Sequence, residues 1–282
     1  MGFDSVHDRE SLFAAQVVDA SARLGTPPVG LLPGRGRWRA FVLGLVALWA
    51  LALVSISAAG PIWWRTAGPA LGGLALLTCL AWWPTCRWRM ARLTVAPGRE
   101  LTAHHLAAAL ETSGVTSFRL WLRFRGRPGR SFRVGRRAAI EVNAAAPHGG
   151  LAFLLAHEAG HCARYDALRA VLLNAVLYSL WVTSLGVVPA AGDAPTLVAA
   201  VFLVAGYNWW RELACDRLAA GWAGADSAAA CMEWFARIQP GQARSPRAWA
   251  RQGRRYLTHP PLALRCRVAQ GRAPDGGNIA AR

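Results

Sequence analysis

The chain has 282 residues, of which 54% are hydrophobic, and it carries a formal net charge of +17. A chain that is both so apolar and so basic is expected to segregate the two kinds of residue, as membrane proteins do. All 32 basic residues are arginine. Such a surface could bind anionic headgroups or nucleic acid. Because no nucleic-acid-binding motif accompanies the arginines, we expect a compositional bias combined with the positive-inside rule, and no nucleic-acid partner.

The N-terminal part of the chain is predicted to contain a tail and a membrane hairpin. Residues 1–39 read as a cytoplasmic tail and linker, with an amphipathic helix expected at 11–24. Two runs of 21 residues without a charge follow, at 40–60 and 66–86. A bilayer-spanning helix needs about 20 apolar residues, so residues 40–86 are predicted to form a transmembrane hairpin of two spans.

Residues 87–169 are predicted to form the first part of a soluble α+β catalytic unit. A short helix is expected at 100–113. Strands are expected at 117–124, 131–134 and 138–143, where apolar residues alternate or run between turn residues. The first of these strands is followed by the sequence Gly-Arg-Pro-Gly, which predicts a turn.

The most informative motif lies in residues 151–166, where His157, Glu158 and His161 form an HExxH pattern within an apolar run. On a helix, two histidines four residues apart face the same side and can bind one metal ion. Neutral imidazoles suit Zn²⁺, which lowers the pKa of a bound water toward about 7, and an adjacent carboxylate can take that water's proton. The pattern therefore predicts a catalytic zinc site with Glu158 beside the metal.

Two more uncharged runs, residues 170–192 and 194–210, predict a second transmembrane hairpin over 170–210, although a buried core helix could resemble the shorter second run. The motif RELACD then opens the C-terminal catalytic part, residues 211–270. It places Glu212 and Asp216 one turn apart. Glu212 could be the third metal ligand and Asp216 could orient a ligand imidazole, although an ordinary surface pair with neighbouring arginines has the same spacing.

The arginines also predict an orientation in the membrane. They flank the outer ends of both predicted hairpins, whereas the turns within the hairpins hold only Arg65 and Asp193. By the positive-inside rule, both termini and all the catalytic motifs are expected on the cytoplasmic side of a multi-pass cell-membrane protein. The six cysteines form no CxxC pair and are expected to remain thiols there. Residues 271–282 are expected to be a disordered tail.

The order of three short motifs, HEAGH, RELACD and the Thr-His-Pro-Pro of residues 258–261, resembles integral membrane zinc metallopeptidases of the HtpX and CAAX-prenyl-protease types, in the gluzincin group. The resemblance covers roughly residues 132–268. It implies one zinc per chain, Glu158 as general base, Asp216 as the partner of a ligand imidazole, and His259 as a group that faces the substrate and stabilises the transition state. The implied zinc ligands are His157, His161 and Glu212.

One strand departs from this group. In the group, a strand with an Asn-Ala-Phe-type motif and its neighbour form the edge beside the zinc cleft. Here residues 130–135 read Arg-Ser-Phe-Arg-Val-Gly, so the asparagine is not kept. An edge strand could still take an extended peptide by strand addition.

Together these features predict a mainly α membrane protein with four transmembrane helices and a small α+β zincin-like catalytic unit. We expect a zinc-dependent endopeptidase that hydrolyses peptide bonds of membrane or membrane-proximal proteins, with the lipid bilayer as its other partner. A BlaR/MecR-type signalling metallopeptidase has similar motifs but predicts an extracellular sensor domain, for which the predicted outside loops are too short. A non-catalytic scaffold with a structural zinc would not need Glu158.

Overall fold

The computed structural model describes residues 4–25, 27, 32, 35–81, 99–123, 128–143, 145–185, 187, 190–238, 253 and 256–271. The helices in this part of the chain are α1 (Asp4–Leu24), α2 (Arg35–Ala59), α3 (Trp64–Ala81), α4 (His104–Glu111), α5 (Leu151–Ala163), α6 (Asp166–Ser184), α7 (Ala190–Ala223), α8 (Ala225–Ile238) and α9 (Leu262–Ala269). The strands are β1 (Arg99–Leu101), β2 (Ser117–Arg123), β3 (Gly129–Val134) and β4 (Arg137–Asn143).

The chain divides into two compact units. The first unit comprises Met1–Pro33, Ala96–Arg164 and Trp209–Arg282, and the second comprises Gly34–Val95 and Tyr165–Asn208. The predicted tail at 271–282 lies outside the described residues except for Gly271.

The second unit consists of apolar helices that pack through small and hydroxyl-bearing residues. Ser179 of α6 donates a hydrogen bond to the carbonyl oxygen of Gly72 in α3 at 2.6 Å, and it accepts one from the indole of Trp49 in α2 at 3.0 Å. The indole of Trp64 donates to the carbonyl of Thr183 at 2.8 Å. These contacts satisfy polar groups inside the unit, while many leucine and valine side chains of α2 and α3 face outward.

Among the described residues, two helices are long and apolar enough to cross a membrane, Arg39–Ala59 and Asp166–Ser184. The first and third predicted spans fall on them. The second predicted span is helical up to Ala81, and its residues 82–86 lie outside the described part of the chain. This finding concerns length and composition, so membrane spanning by each of the four runs stays a prediction.

The prediction of a turn at Asp193 is wrong. Helix α6 ends at Ser184 and α7 begins at Ala190, so Asp193 and Pro195 lie inside a helix. The sequence between the two helices contains Gly186 and Pro189, which are typical of helix ends. The prediction used charged residues to mark the ends of the apolar runs, and no charged residue lies between Arg169 and Asp193.

In the part of the chain that the structure describes, the first unit contains a four-stranded sheet in the order β1-β2-β4-β3. Strands β2 and β4 are parallel, with Leu120 beside Ile140, and both outer pairs are antiparallel. Strand β1 was not predicted, because the helix expected from residue 100 begins only at His104. Pairing with β2 keeps residues 99–101 extended, and three residues are too few to show a strand period.

One face of this sheet and several helices share a single apolar core. Helices α1, α4, α5 and α8 contribute to it, and α5 lies closest to β3 and β4. The largest fully buried side chains of the core are Phe153, Leu106, Leu110, Leu120, Leu122, Ile140, Leu151, Leu154 and Leu155. Helix α5 thus packs against the core through its apolar residues. Its polar residues lie outside this apolar cluster, where a site can form.

Candidate metal centre

Helix α5 carries the HExxH residues and is fixed at its C-terminal end by a buried arginine. Its sequence LAFLLAHEAGHCA is rich in strong helix formers, and the helix ends before Tyr165, whose φ of 57° is left-handed. Arg133 of β3 donates to the carbonyl of Cys162 at 2.9 Å and to that of Ser113 at 2.9 Å. A cation at this end satisfies the last carbonyls and complements the helix dipole.

Three side chains converge between α5 and α7. The Nε2 atoms of His157 and His161 lie 3.1 Å apart. The carboxylate of Glu212 lies 3.6 Å from His157 Nε2 and 3.4 Å from His161 Nε2. Ligands about 2.0–2.1 Å from a tetrahedral zinc would be about 3.3 Å from one another. The chemistry and the spacing of these donors therefore fit one Zn²⁺.

The other ring nitrogen of His157 lies against a buried ion pair. Nδ1 of His157 lies 3.0 Å from the carboxylate of Asp216, which is completely buried. Arg265 of α9 donates to both oxygens of that carboxylate, at 2.8 and 2.7 Å. Asp216 therefore orients His157 and is itself held by Arg265, as outer partners of metal-bound histidines do.

The ring of His161 has a different partner. Its Nδ1 lies 3.3 Å from the sulfur of Cys215, whose side chain is buried. Cys215 precedes Asp216 on α7, so adjacent residues of one helix contact the two imidazoles. In each histidine, Nε2 faces Glu212 and Nδ1 contacts a residue of α7 on the other side of the ring.

Charge interactions dominate the ionisation of the buried ligands. Burial disfavours the charged imidazole, but hydrogen bonds to Asp216 and Glu212 outweigh it and raise the pKa of His157 to about 10. Burial also opposes ionisation of Glu212, yet the nearby His161 and His157 lower its pKa well below the usual value. Zinc binds the neutral form of imidazole. Its binding would therefore displace the proton that the nearby carboxylates stabilise on His157.

His259 lies at the rim of the same cluster. Its Nε2 is 4.0 Å from Glu212, and its Nδ1 is 2.8 Å from the hydroxyl of Thr258. Burial lowers the pKa of His259, which favours a neutral ring. Its side chain is 42% exposed, so it is accessible from solvent, unlike Glu212.

Glu158 lies on the side of α5 that faces β3. Its side chain is buried, and its carboxylate rests against the backbone of Gly129, the first residue of that strand. The structure thus groups His157, His161 and Glu212 together, with Asp216 behind His157 and His259 at the rim. Glu158 directly follows His157 on α5 and is connected to this group in that way.

Comparison with protein families assigns this region. Residues 142–273 match the family model described as Peptidase family M48. This segment is an M48 peptidase domain. The result confirms the resemblance to HtpX and CAAX-protease-type zinc metallopeptidases. Neither the curated proteins nor the solved structures gave a match.

The M48 match covers just under half of the chain and includes every candidate site residue. It begins at Val142, near the end of β4, so β1, β2 and β3 precede it.

Two residues of the M48 domain site were missed by the sequence analysis. From the sequence alone, Cys215 is only one of six thiols, and Arg265 is assigned no role. The motif RELACD contains Cys215 between the two acidic residues, which was a usable signal. Arg265 had no such signal, because nothing local distinguishes it among 32 arginines.

Proposed function

We propose that this protein is a membrane-embedded, zinc-dependent endopeptidase that cleaves membrane or membrane-proximal proteins. The convergence of two imidazole nitrogens and one carboxylate, each 3.1 to 3.6 Å from the next, is the observation that carries the proposal. The M48 domain supports a metallopeptidase activity. When bound, zinc would supply an acidified water and polarise the scissile carbonyl.

The residues around the metal have separate tasks in this mechanism. Glu158 accepts a proton from the attacking water and later passes it to the leaving amine, as a general base that becomes a general acid. Asp216 and Cys215 keep the two imidazoles oriented. If the hydroxyl of Thr258 donates to Nδ1 of His259, Nε2 carries the hydrogen. That N–H can donate to the carbonyl oxygen as negative charge develops on it.

Strand β3 offers a place for the substrate backbone. It lies at the edge of the sheet, and its register with β4 pairs Gly129 with Val142 and Ser131 with Ile140. The amide of Asn143 donates to the carbonyl of Pro128, so residue 128 belongs to a hydrogen-bonded pair. Because these pairs alternate, Gly129 and Ser131 direct their backbone groups away from β4. An extended peptide could add to the sheet along this edge.

Metal content and activity test the proposal together. We expect the full-length protein in detergent to bind about one zinc per chain. It should cleave an unfolded protein substrate, lose this activity on chelation, and regain it with added zinc. Glu212→Ala should lose both zinc and activity, because one of the three ligands is removed.

Glu233→Ala is the matched control, since this glutamate lies on the surface of α8 with its side chain 71% exposed. It should keep zinc and activity at wild-type values. Unchanged zinc content in Glu212→Ala would contradict the assignment of the third ligand, and zinc-independent cleavage would contradict the proposed activity.

The proposed topology has both membrane hairpins crossing from the cytoplasm. The arginine distribution and the two long apolar helices support it. Reporter fusions after Ile62 and after Val187 should report the outside, and fusions after Gly150 and Gly271 the cytoplasm. A fusion after Gly271 that reports the outside would mean that residues 194–210 do not cross, and the orientation would then be wrong.

A further inference from the structure

Strand β3 and helix α5 run side by side in the same direction. Near the start of the strand, Gly129 lies against Leu154 and Glu158. Farther along, the carbonyl of Phe132 accepts a weak hydrogen bond from the thiol of Cys162 at 3.6 Å. Leu154, Glu158 and Cys162 are spaced by four residues and form one stripe of the helix. This stripe follows the strand along its length.

Alternate residues of β3 direct their side chains toward that stripe. Arg133 does so, because its guanidinium reaches the carbonyl of Cys162. By the strand period of two, positions 131 and 129 face the same way. The residue opposite Glu158 is therefore Gly129, which has no side chain to place there.

The fit at Gly129 leaves no room for even one methyl group. A Cβ at this position would lie 2.7 Å from Oε1 of Glu158, 3.1 Å from its Cγ and 3.0 Å from Cδ1 of Leu154. Gly129 is not among the glycines with positive φ. Its backbone conformation is therefore open to other residues, and it is the space taken by the Glu158 side chain, with Leu154 beside it, that requires glycine.

We propose that Gly129 is a positioning residue for Glu158, an inference that rests on the proposed peptidase function. Of the atoms that a Cβ would meet, the carboxylate is the end of a flexible side chain, and it can move at little cost to the fold. A side chain at position 129 therefore turns Glu158 away from its working position. The damage falls on the transfer of the proton and not on metal binding.

The same residue belongs to the edge that is proposed to hold the substrate. The backbone groups of Gly129 point away from β4, and its missing side chain admits the base. A peptide added at this point of the edge would pass next to Glu158. Gly129 thus lets the substrate-binding edge approach the base closely, in a part of the chain that precedes the family match.

Gly129→Ala tests the inference. We expect kcat to fall roughly 10- to 100-fold, the effect of about 1 Å of misplacement at a catalytic group. KM, zinc content and thermal midpoint should stay at their wild-type values. Gly149→Ala is the matched control, because its Cβ would lie 3.5 Å from the nearest atom, the Cβ of Ala230. It should leave kcat unchanged.

A double-mutant cycle identifies Glu158 as the group that Gly129 accommodates. Glu158→Asp shortens the side chain and leaves space for a methyl group, so Gly129→Ala should cost clearly less in that background than in the wild type. In the Glu158→Gln background it should cost nothing further. These results would support the inference.

The inference would be overturned by wild-type kcat in Gly129→Ala, or by an equal loss of kcat in every Glu158 background. Lost zinc or a lowered thermal midpoint in Gly129→Ala would overturn it as well. The Glu158→Gln variant alone reports on the proposed function. If it is inactive while Gly129→Ala is fully active, only the role of Gly129 is wrong. If Glu158→Gln retains wild-type activity, the peptidase mechanism fails and the role of Gly129 fails with it.

Discussion

Glu158→Gln is expected to abolish most of the proteolysis while the protein keeps its zinc. Glutamine preserves the size of the side chain and its hydrogen-bonding capacity but cannot accept the proton. General acid–base catalysis is typically worth about 10²- to 10⁴-fold, so kcat should fall by about that factor. Zinc should remain because the proposed ligand atoms belong to His157, His161 and Glu212, which could together hold a metal ion. The measurements are kcat on an unfolded protein substrate and zinc per chain.

Glu233→Gln is the control for this variant, since it makes the same chemical change on an exposed helix surface. It should behave as the wild type in both measurements. If Glu158→Gln cleaves as fast as the wild type, the site does not work as a peptidase whatever its metal content. If the variant loses zinc, Glu158 supports the metal and its role as a separate base is wrong.

Arg265→Met is expected to destabilise the protein strongly, because it leaves the carboxylate of Asp216 buried without its cation. Asp216 is fully buried and receives two hydrogen bonds from Arg265. Removing one partner of such a pair costs about 3–5 kcal/mol. The variant should also bind zinc roughly 10- to 100-fold more weakly, because a loosened Asp216 no longer orients His157. Denaturant unfolding and zinc titration measure the two effects.

The interaction between Asp216 and Arg265 can be measured separately from the effect of losing either residue alone. Asp216→Asn together with Arg265→Met removes both charges, so the double variant should be more stable than the sum of the two single losses predicts. Arg237→Met is the control, because its partner Glu233 is on the surface and such exposed pairs contribute about 0–1 kcal/mol. Strictly additive losses, or a loss in Arg265→Met no larger than in Arg237→Met, would contradict the coupling.

The sequence predicted those elements of the fold whose signal is local. The HExxH motif lies on a helix, α5, as its spacing requires, and strands β2, β3 and β4 fall on the predicted runs. These segments show an apolar period or stand between turn residues. The parallel pairing of β2 with β4 could not be predicted, because it depends on contacts between segments distant in the chain. Strand β1 exists only through its partner.

The site divides in the same way. The spacing that places His157 and His161 on one helix face is visible in the local sequence. So is the separation of Glu212 and Asp216 by about one turn of helix. Which imidazole Asp216 would contact could not be read from the spacing, because it depends on how α7 packs on α5. The structure pairs it with His157. Arg265 enters only through the packing of α9, and the contact between Gly129 and Glu158 only through that of β3 on α5.

The dependence of Asp216 on Arg265 also has a consequence for biosynthesis. The helix with both histidines leaves the ribosome well before the segment that contains Arg265, because it lies about 100 residues closer to the N-terminus and the chain emerges from that end. Until residue 265 has been added, Asp216 lacks the cation that holds it, and His157 lacks a firmly placed partner. On the proposed function, the nascent polypeptide would therefore gain its activity only late in translation.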